Sequence, residues 1–219
     1  EYAAKHENGS LGKTECWYVL DCEPGATIIV GQRAHDRAEA AQMIEEGRWD
    51  EMLNVLPIHK GDFFQIDSGT VHAIKTGTLI LETQQSSDVT YRLYDYDRPG
   101  TDGKLRPLHI EKALDVTNLS PIAPTAQYPA QPVDGGSVRR LESCKYFISD
   151  VVEVSGKVHF TVGTETFRHL LALDGEAVLE TASGSYPMKK GDSVLLPAGL
   201  GAYSVKGSGF RYIVTGVEE

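Results

Sequence analysis

Two stretches of this chain, each 130 residues apart at matched positions, repeat one pattern of turn, short apolar strand and turn. In the first, Lys60-Gly61-Asp62 turns, Phe63 to Ile66 is an apolar strand, Asp67-Ser68-Gly69 turns again, and Thr70 to Lys75 alternates around His72. In the second, Lys190-Gly191-Asp192 leads through Ser193-Val194-Leu195-Leu196 to Pro197-Ala198-Gly199, so that Gly61 falls on Gly191 and Gly69 on Gly199. A repeat of this kind implies two copies of one β unit. A length of 219 residues allows one large core or two small ones. At the same offset His72 falls on Ala202, so the second copy keeps the turns and lacks an imidazole in that slot.

The remaining segments fit around the two copies. Glu1 to Gly12 is polar and reads as a surface loop; Lys13 to Leu20 and Ala26 to Val30 read as strands joined by the turn Glu23-Pro24-Gly25. From Asp36 to Leu53 the apolar period becomes helical and is interrupted at Gly47, which predicts two short helices with Asp36 capping the first. Strands are expected from Val55 to about Tyr96, a loop from Asp97 to Pro107, and a short helix from Leu108 to Asn118. Residues 119–137, with Pro121, Pro124, Pro129 and Pro132 and no periodicity, read as a linker. The expected organisation is therefore a first domain at 1–118 with a helical insertion at about 36–54, a linker at 119–137, and a structural second domain at 138–219 without a metal site.

Composition narrows the function classes. At 41% hydrophobic and 24% charged residues the chain is that of an ordered globular protein. A formal net charge of -10 argues against nucleic acid or an anionic membrane as partner, while a few local cations could still hold an anionic small molecule. Cys16, Cys22 and Cys144 form no CxxC pair and suit a reduced, cytoplasmic setting better than a disulfide scaffold. No apolar run approaches the length that spans a bilayer, and no signal peptide is recognisable. The chain opens without Met, at Glu1-Tyr2-Ala3-Ala4-Lys5, and reads as part of a longer protein.

Gly61, Asp67, Gly69 and His72 have the spacing of the second metal motif of cupins, small β-barrels with a site in the barrel mouth. Gly69 permits a tight turn and sets His72 on the following strand, where an imidazole can bind a metal. A lone histidine in a β run is more often a packed core residue. Three further segments accompany this one: Gly12-Lys13-Thr14-Glu15-Cys16-Trp17-Tyr18, Leu81-Glu82-Thr83-Gln84-Gln85 and Ser87-Asp88-Val89-Thr90-Tyr91-Arg92. Together, in this order, the four closely resemble type I mannose-6-phosphate isomerases in the short bacterial form, over essentially the whole chain.

The resemblance implies a mainly β bicupin, two cupin or jelly-roll-like barrels with a short helical insertion in the first. It implies interconversion of mannose 6-phosphate and fructose 6-phosphate through an enediolate, with one zinc ion per full-length chain and a sugar phosphate as partner, in a monomer or homodimer. By the motif match Glu15 and His72 are metal ligands, Arg92 is catalytic, Glu82 is an acid/base candidate, and Arg98 matches a cationic substrate position. Lys13 lies two residues before Glu15, on the same strand face, and is expected to contact substrate. The plain reading of Arg92 is an ion pair with Asp88 or Asp95; that of Glu82 is a solvated surface carboxylate. Arg98 opens a Pro-Gly loop and ranks below Arg92 and Lys13.

In the family the remaining zinc ligands come from a Gln-x-His-Pro stretch expected before residue 1. His6, His35, His59, His109, His159 and His169 are read as packing or surface residues. Two rival functions use the same scaffold. A sugar-phosphate-binding cupin without turnover would keep the fold and lose the chemistry. A cupin iron oxygenase would carry a His-x-His pair, which this sequence lacks.

Overall fold

The computed structural model describes residues 1–122, 125 and 127–217. The chain divides into two compact units, Glu1–Thr125 and Ala126–Glu219, and is mainly β. Of the expected linker, residues 123, 124 and 126 lie outside the described residues. Among the described residues no helix is long and apolar enough to cross a membrane.

The first unit runs α1 (Tyr2–His6), β1 (Glu15–Cys22), β2 (Thr27–Gln32), α2 (Arg37–Glu45), α3 (Trp49–Met52), β3 (Leu53–Pro57), β4 (Phe63–Ile66), β5 (His72–Ile74), β6 (Thr78–Gln84) and α4 (Ile110–Val116). Its strands form two antiparallel sheets, ordered β4-β1-β6 and β3-β2-β5. Trp17 and Val19 from the first sheet pack with Ile28 and Val30 from the second, and Ile58 and Ile66 complete this core. Burying such aliphatic and aromatic side chains contributes about 1.5–3 kcal/mol each.

A second cluster gathers the helices. Ala40, Met43 and Ile44 of α2, Met52 of α3, and Ala113 and Leu114 of α4 pack around Leu93. The Glu39 amide donates to Asp36 Oδ1 at 2.8 Å, which is the expected N-cap, and Gly47 adopts φ +67 just beyond the end of α2.

The first unit departs from the sequence reading in two places. Tyr2–His6 is helical and not loop, held where Tyr2 Oη donates to Asp115 Oδ2 on α4 at 3.1 Å. Five residues are too few for helical periodicity to show in a sequence. The run of strands ends at Gln84 and does not extend to Tyr96. Beyond it Leu93 and Asp95 are buried in alternation, yet the Arg92 amide donates to the His109 ring and His109 N donates to the Arg92 carbonyl, so the segment pairs with a loop.

The second unit runs β7 (Gln131–Val133), β8 (Gly136–Ser143), β9 (Ile148–Val154), β10 (Lys157–Val162), β11 (Arg168–Asp174), β12 (Glu176–Thr181), β13 (Gly184–Lys189), β14 (Ser193–Leu196), β15 (Gly201–Gly207) and β16 (Phe210–Gly216). A four-stranded sheet, β10-β15-β12-β13, and a six-stranded sheet, β14-β11-β16-β9-β8-β7, both contribute to one core that includes Leu170, Leu179, Val205, Phe210 and Tyr212.

The sequence repeat is a structural repeat. β4 and β14 occupy positions 63–66 and 193–196, the same 130 residues apart. Asp62 Oδ2 accepts from His59 N at 2.7 Å, and Asp192 Oδ2 accepts from Lys189 N at 2.8 Å. Gly61 N donates to the Val19 carbonyl of β1 and Gly191 N to the Ala172 carbonyl of β11. Gly61 and Gly191 both take the left-handed conformation, φ +93 and +89.

Candidate functional site

Strand alternation aims the site residues. Glu15 pairs with Gln84 and Trp17 with Glu82 across β1 and β6, so residues two apart on each strand share a face. His72 comes from the other sheet, where it pairs with Val30. The turn before it admits only glycine: Gly69 has φ +91, and a Cβ there would stand 2.4 Å from the Val116 carbonyl oxygen. Gly69 O in turn accepts from Asn118 N at 2.8 Å, tying the turn to the residues that follow α4.

Four of the six residues singled out in the sequence meet here. Glu15 is fully buried, with His72 Nε2 3.1 Å from Oε1 and Lys13 Nζ 2.6 Å from Oε2. Lys13 Nζ also lies 3.7 Å from Glu82 Oε1. Among the described residues neither Glu15 oxygen has a neutral hydrogen-bond donor, so the carboxylate depends on its contacts with His72 and Lys13. Burial pushes the Glu15 carboxyl up, but His72 and Lys13 outweigh it and hold the group below its ordinary range. For His72 burial acts downward and is outweighed by Glu15 and the Thr70 carbonyl, which raise it.

The 2.7 Å contact between His72 Nδ1 and Thr70 O requires Nδ1–H to donate, since a carbonyl cannot. Nε2 is thereby left facing Glu15, the orientation of a metal-ligating imidazole with its second nitrogen anchored. Two ligands at zinc distances in a tetrahedron lie about 3.3 Å apart. The observed 3.1 Å between Nε2 and Oε1 is close to that bite. These two donors therefore fit a divalent cation as part of a ligand set. Among the described residues no group of three or more His, Cys, Asp or Glu side chains is placed to hold one.

Arg92 and Arg98 gather elsewhere, around Asp95. Arg106 binds both oxygens of this buried carboxylate, with Nε 2.7 Å from Oδ2. Arg92 Nε and Arg98 Nη2 lie 3.6 and 3.7 Å from Oδ1, and Arg92 Nη1 also donates to the Pro107 carbonyl at 3.3 Å. The hydrogen-bonded Arg106 guanidinium, against the effect of burial, holds the Asp95 carboxyl below its usual value. Of the two ion pairs considered for Arg92, the one with Asp95 is present.

Sequence reasoning missed three residues. Arg106 lies across a Pro-Gly loop from Asp95, where no periodicity links them. Gln84 is the register partner of Glu15 across β1 and β6, and it lines a cavity of about 770 Å³ with Ser87, Tyr91 and His109 that none of Lys13, Glu15, His72 and Glu82 lines. Its position two residues after Glu82, on the same strand face, was the available signal. Trp17 donates its indole N–H to Glu82 Oε2 at 2.9 Å and sets its ring in T-shaped contact with that of His72, with centroids 5.4 Å apart. A tryptophan in an apolar strand reads as core, which it also is.

The family model of the mannose-6-phosphate isomerase cupin domain matches residues 137–215, in the second unit. Mannose-6-phosphate isomerase ManA of Bacillus subtilis (strain 168) is 44% identical over 207 residues, covering 94% of this chain and 65% of that protein. The crystal structure of the mannose 6-phosphate isomerase from Bacillus subtilis superposes with a TM-score of 0.91 at 36% identity, over 98% of this chain and 68% of that one. A mannose 6-phosphate isomerase bound with zinc and yttrium shares the fold, with a TM-score of 0.73 at 14% identity over 94% of this chain and 67% of that one. The chain spans 64% to 66% of the length of the curated relatives it matches. With that identity along almost all of its residues, the chain belongs to the mannose-6-phosphate isomerase family.

Proposed function

We propose that the protein to which this chain belongs interconverts mannose 6-phosphate and fructose 6-phosphate as a zinc-dependent aldose-ketose isomerase. The observation that carries the reading is the convergence of Lys13, Glu15, His72 and Glu82 at one place, joined to the family membership. Moving a proton between C1 and C2 needs a base, a stabiliser for enediolate charge and an anchor for the phosphoryl group.

Glu15 and His72 would hold the metal, which when bound supplies a Lewis acid for the developing oxyanion. Glu82, about one-third exposed, is the acid/base candidate, and Lys13 between the two carboxylates is the cation that faces substrate. Arg92 offers a guanidinium for the enediolate or phosphoryl charge, and Arg98 a second cation. The paired turns at Gly61 and Gly191 support a bicupin, in which the first barrel spans 1–118 and the second is structural; of the linker expected at 119–137, β7 and the start of β8 already belong to the sheet of the second unit. A cytoplasmic setting suits the three thiols.

A second reading, a sugar-phosphate-binding module without turnover, is favoured for this stretch of chain by one observation: the described residues supply two metal donors where a catalytic zinc takes about three. Zinc content and isomerase activity, measured on this chain and on a protein of the relatives' full length, separate the readings. Zinc and turnover in the longer protein are expected. Sugar-phosphate binding without turnover in both would sink the isomerase and leave the binding module.

A further inference from the structure

We infer that Trp17 is a positioning residue, holding the Glu82 carboxylate in its reactive orientation through the indole N–H. The inference rests on the isomerase reading above and deepens it. Glu82 sits on a strand with its side chain about one-third open to solvent, where a carboxylate ordinarily samples several rotamers. Here Oε2 accepts from Trp17 Nε1 at 2.9 Å while Oε1 faces Lys13 Nζ at 3.7 Å. Each oxygen is thus addressed by a different group, and the tighter contact is to the indole.

The donor is itself fixed. Trp17 is 1% exposed, lies in the core between the two sheets of the first unit, and is the register partner of Glu82 across β1 and β6. Its indole cannot turn away without opening that core. An indole N–H has no acceptor capacity and no proton to give at neutral pH, so it can orient a carboxylate without competing for the proton that the carboxylate moves. Lys13 alone would not do this, because an ammonium on a flexible stem is a point charge with no preferred direction. The same ring is in T-shaped contact with the His72 ring, so one rigid side chain references the proposed base and a proposed ligand to each other.

The test uses Trp17→Phe, Glu82→Ala and the double variant in the full-length, zinc-loaded protein. Phenylalanine keeps an aromatic ring but removes both the donor and part of the indole's packing, so the Glu82→Ala background, where the packing loss remains and the hydrogen bond does not, separates the two. Trp17→Phe is expected to lower kcat by about ten- to a hundredfold, the range of a hydrogen bond to a charged group, with KM within about twofold and zinc content unchanged. In the Glu82→Ala background the same substitution is expected to change kcat by less than about twofold, because the group it acts through is gone. Equal losses in both backgrounds, or a loss accompanied by zinc release, would make Trp17 a packing residue and overturn the inference.

A readout independent of turnover is the Trp17 indole proton resonance. Its expected upfield move in Glu82→Ala reports the broken hydrogen bond, and an unmoved resonance overturns the inference whatever the kinetics. If the wild-type protein fails to isomerise mannose 6-phosphate, the functional reading falls, and the resonance still decides whether Trp17 holds Glu82.

Discussion

At the residue scale the two charge clusters respond differently to the loss of one member. Arg92 shares Asp95 with Arg98 and with the doubly bound Arg106, so Arg92→Ala leaves no buried carboxylate unpaired. Its fold and metal content are expected to match wild type while kcat falls by about 10²–10³, the usual cost of removing one group that stabilises transition-state charge. Turnover near wild type would return Arg92 to a structural ion pair. His72 has no such substitute: it would supply one of the two proposed metal donors, and among the described residues Glu15 without it is left with Lys13. His72→Ala in the full-length protein is expected to lose zinc on dialysis, read by metal analysis, and activity with it. An unchanged zinc content would make His72 a packing residue. Most of this site was legible in the sequence because strand alternation and turn spacing fix where Lys13, Glu15, His72 and Glu82 point. Trp17 and Arg106 were not, since a buried indole signals only packing and a pair bridging an irregular loop has no period.

At the scale of elements the repeated turns give a direct comparison. Gly69 and Gly199 hold equivalent positions with φ +91 and +77, but a Cβ at Gly69 would strike the Val116 carbonyl at 2.4 Å, whereas at Gly199 nothing lies within 4 Å. Gly199→Ala therefore meets only the left-handed backbone penalty, about 1–2 kcal/mol. Gly69→Ala adds the displacement of a backbone contact, and is expected to cost about 1–3 kcal/mol beyond that and to shift His72 enough to weaken zinc binding. Urea denaturation of the two variants, with zinc affinity for each, checks both parts; equal costs would mean that the segment after α4 yields freely. The elements themselves were legible where a turn or cap has its own chemistry, as at Asp36, Gly47, Gly61 and Gly191. They were not where order comes from distant partners. The helix at Tyr2–His6 is held by Asp115, and the segment after Gln84 alternates like a strand while hydrogen-bonding to His109.

Across the whole molecule the titrating groups set a plateau of stability with two different edges. Glu7, Glu15, Asp95 and Asp115 in the first unit and Glu180 in the second have folded values below their ordinary range. Each contributes stability that is present above about pH 4 and lost as pH falls through the folded value. Asp150 opposes them, since burial raises it and its charged form is carried at a cost at neutral pH. The alkaline edge comes from raised phenols: Tyr91 in the first unit, raised to about 12 by burial and its hydrogen bond to Glu7, and two in the core of the second unit. Burial raises Tyr203 to about 12 and Tyr212 further still, against an unfolded value near 10. Between about pH 10 and 12 the unfolded chain releases protons that the folded chain keeps, so stability falls with rising pH, by about 1.4 kcal/mol per pH unit for each phenol. Both tryptophans, Trp17 and Trp49, lie in the first unit and would not report the loss in the second. Tyrosinate absorbance against pH would, because the buried phenols ionise only as their core opens. Tyr212 Oη has no hydrogen-bond partner among the described residues, so Tyr212→Phe removes an unsatisfied hydroxyl from a dry core. That variant is expected to be at least as stable as wild type at pH 7 and to show roughly half the alkaline slope of this core. A large loss of stability at pH 7 would mean that the hydroxyl has a partner after all, and that the alkaline edge is set by other groups.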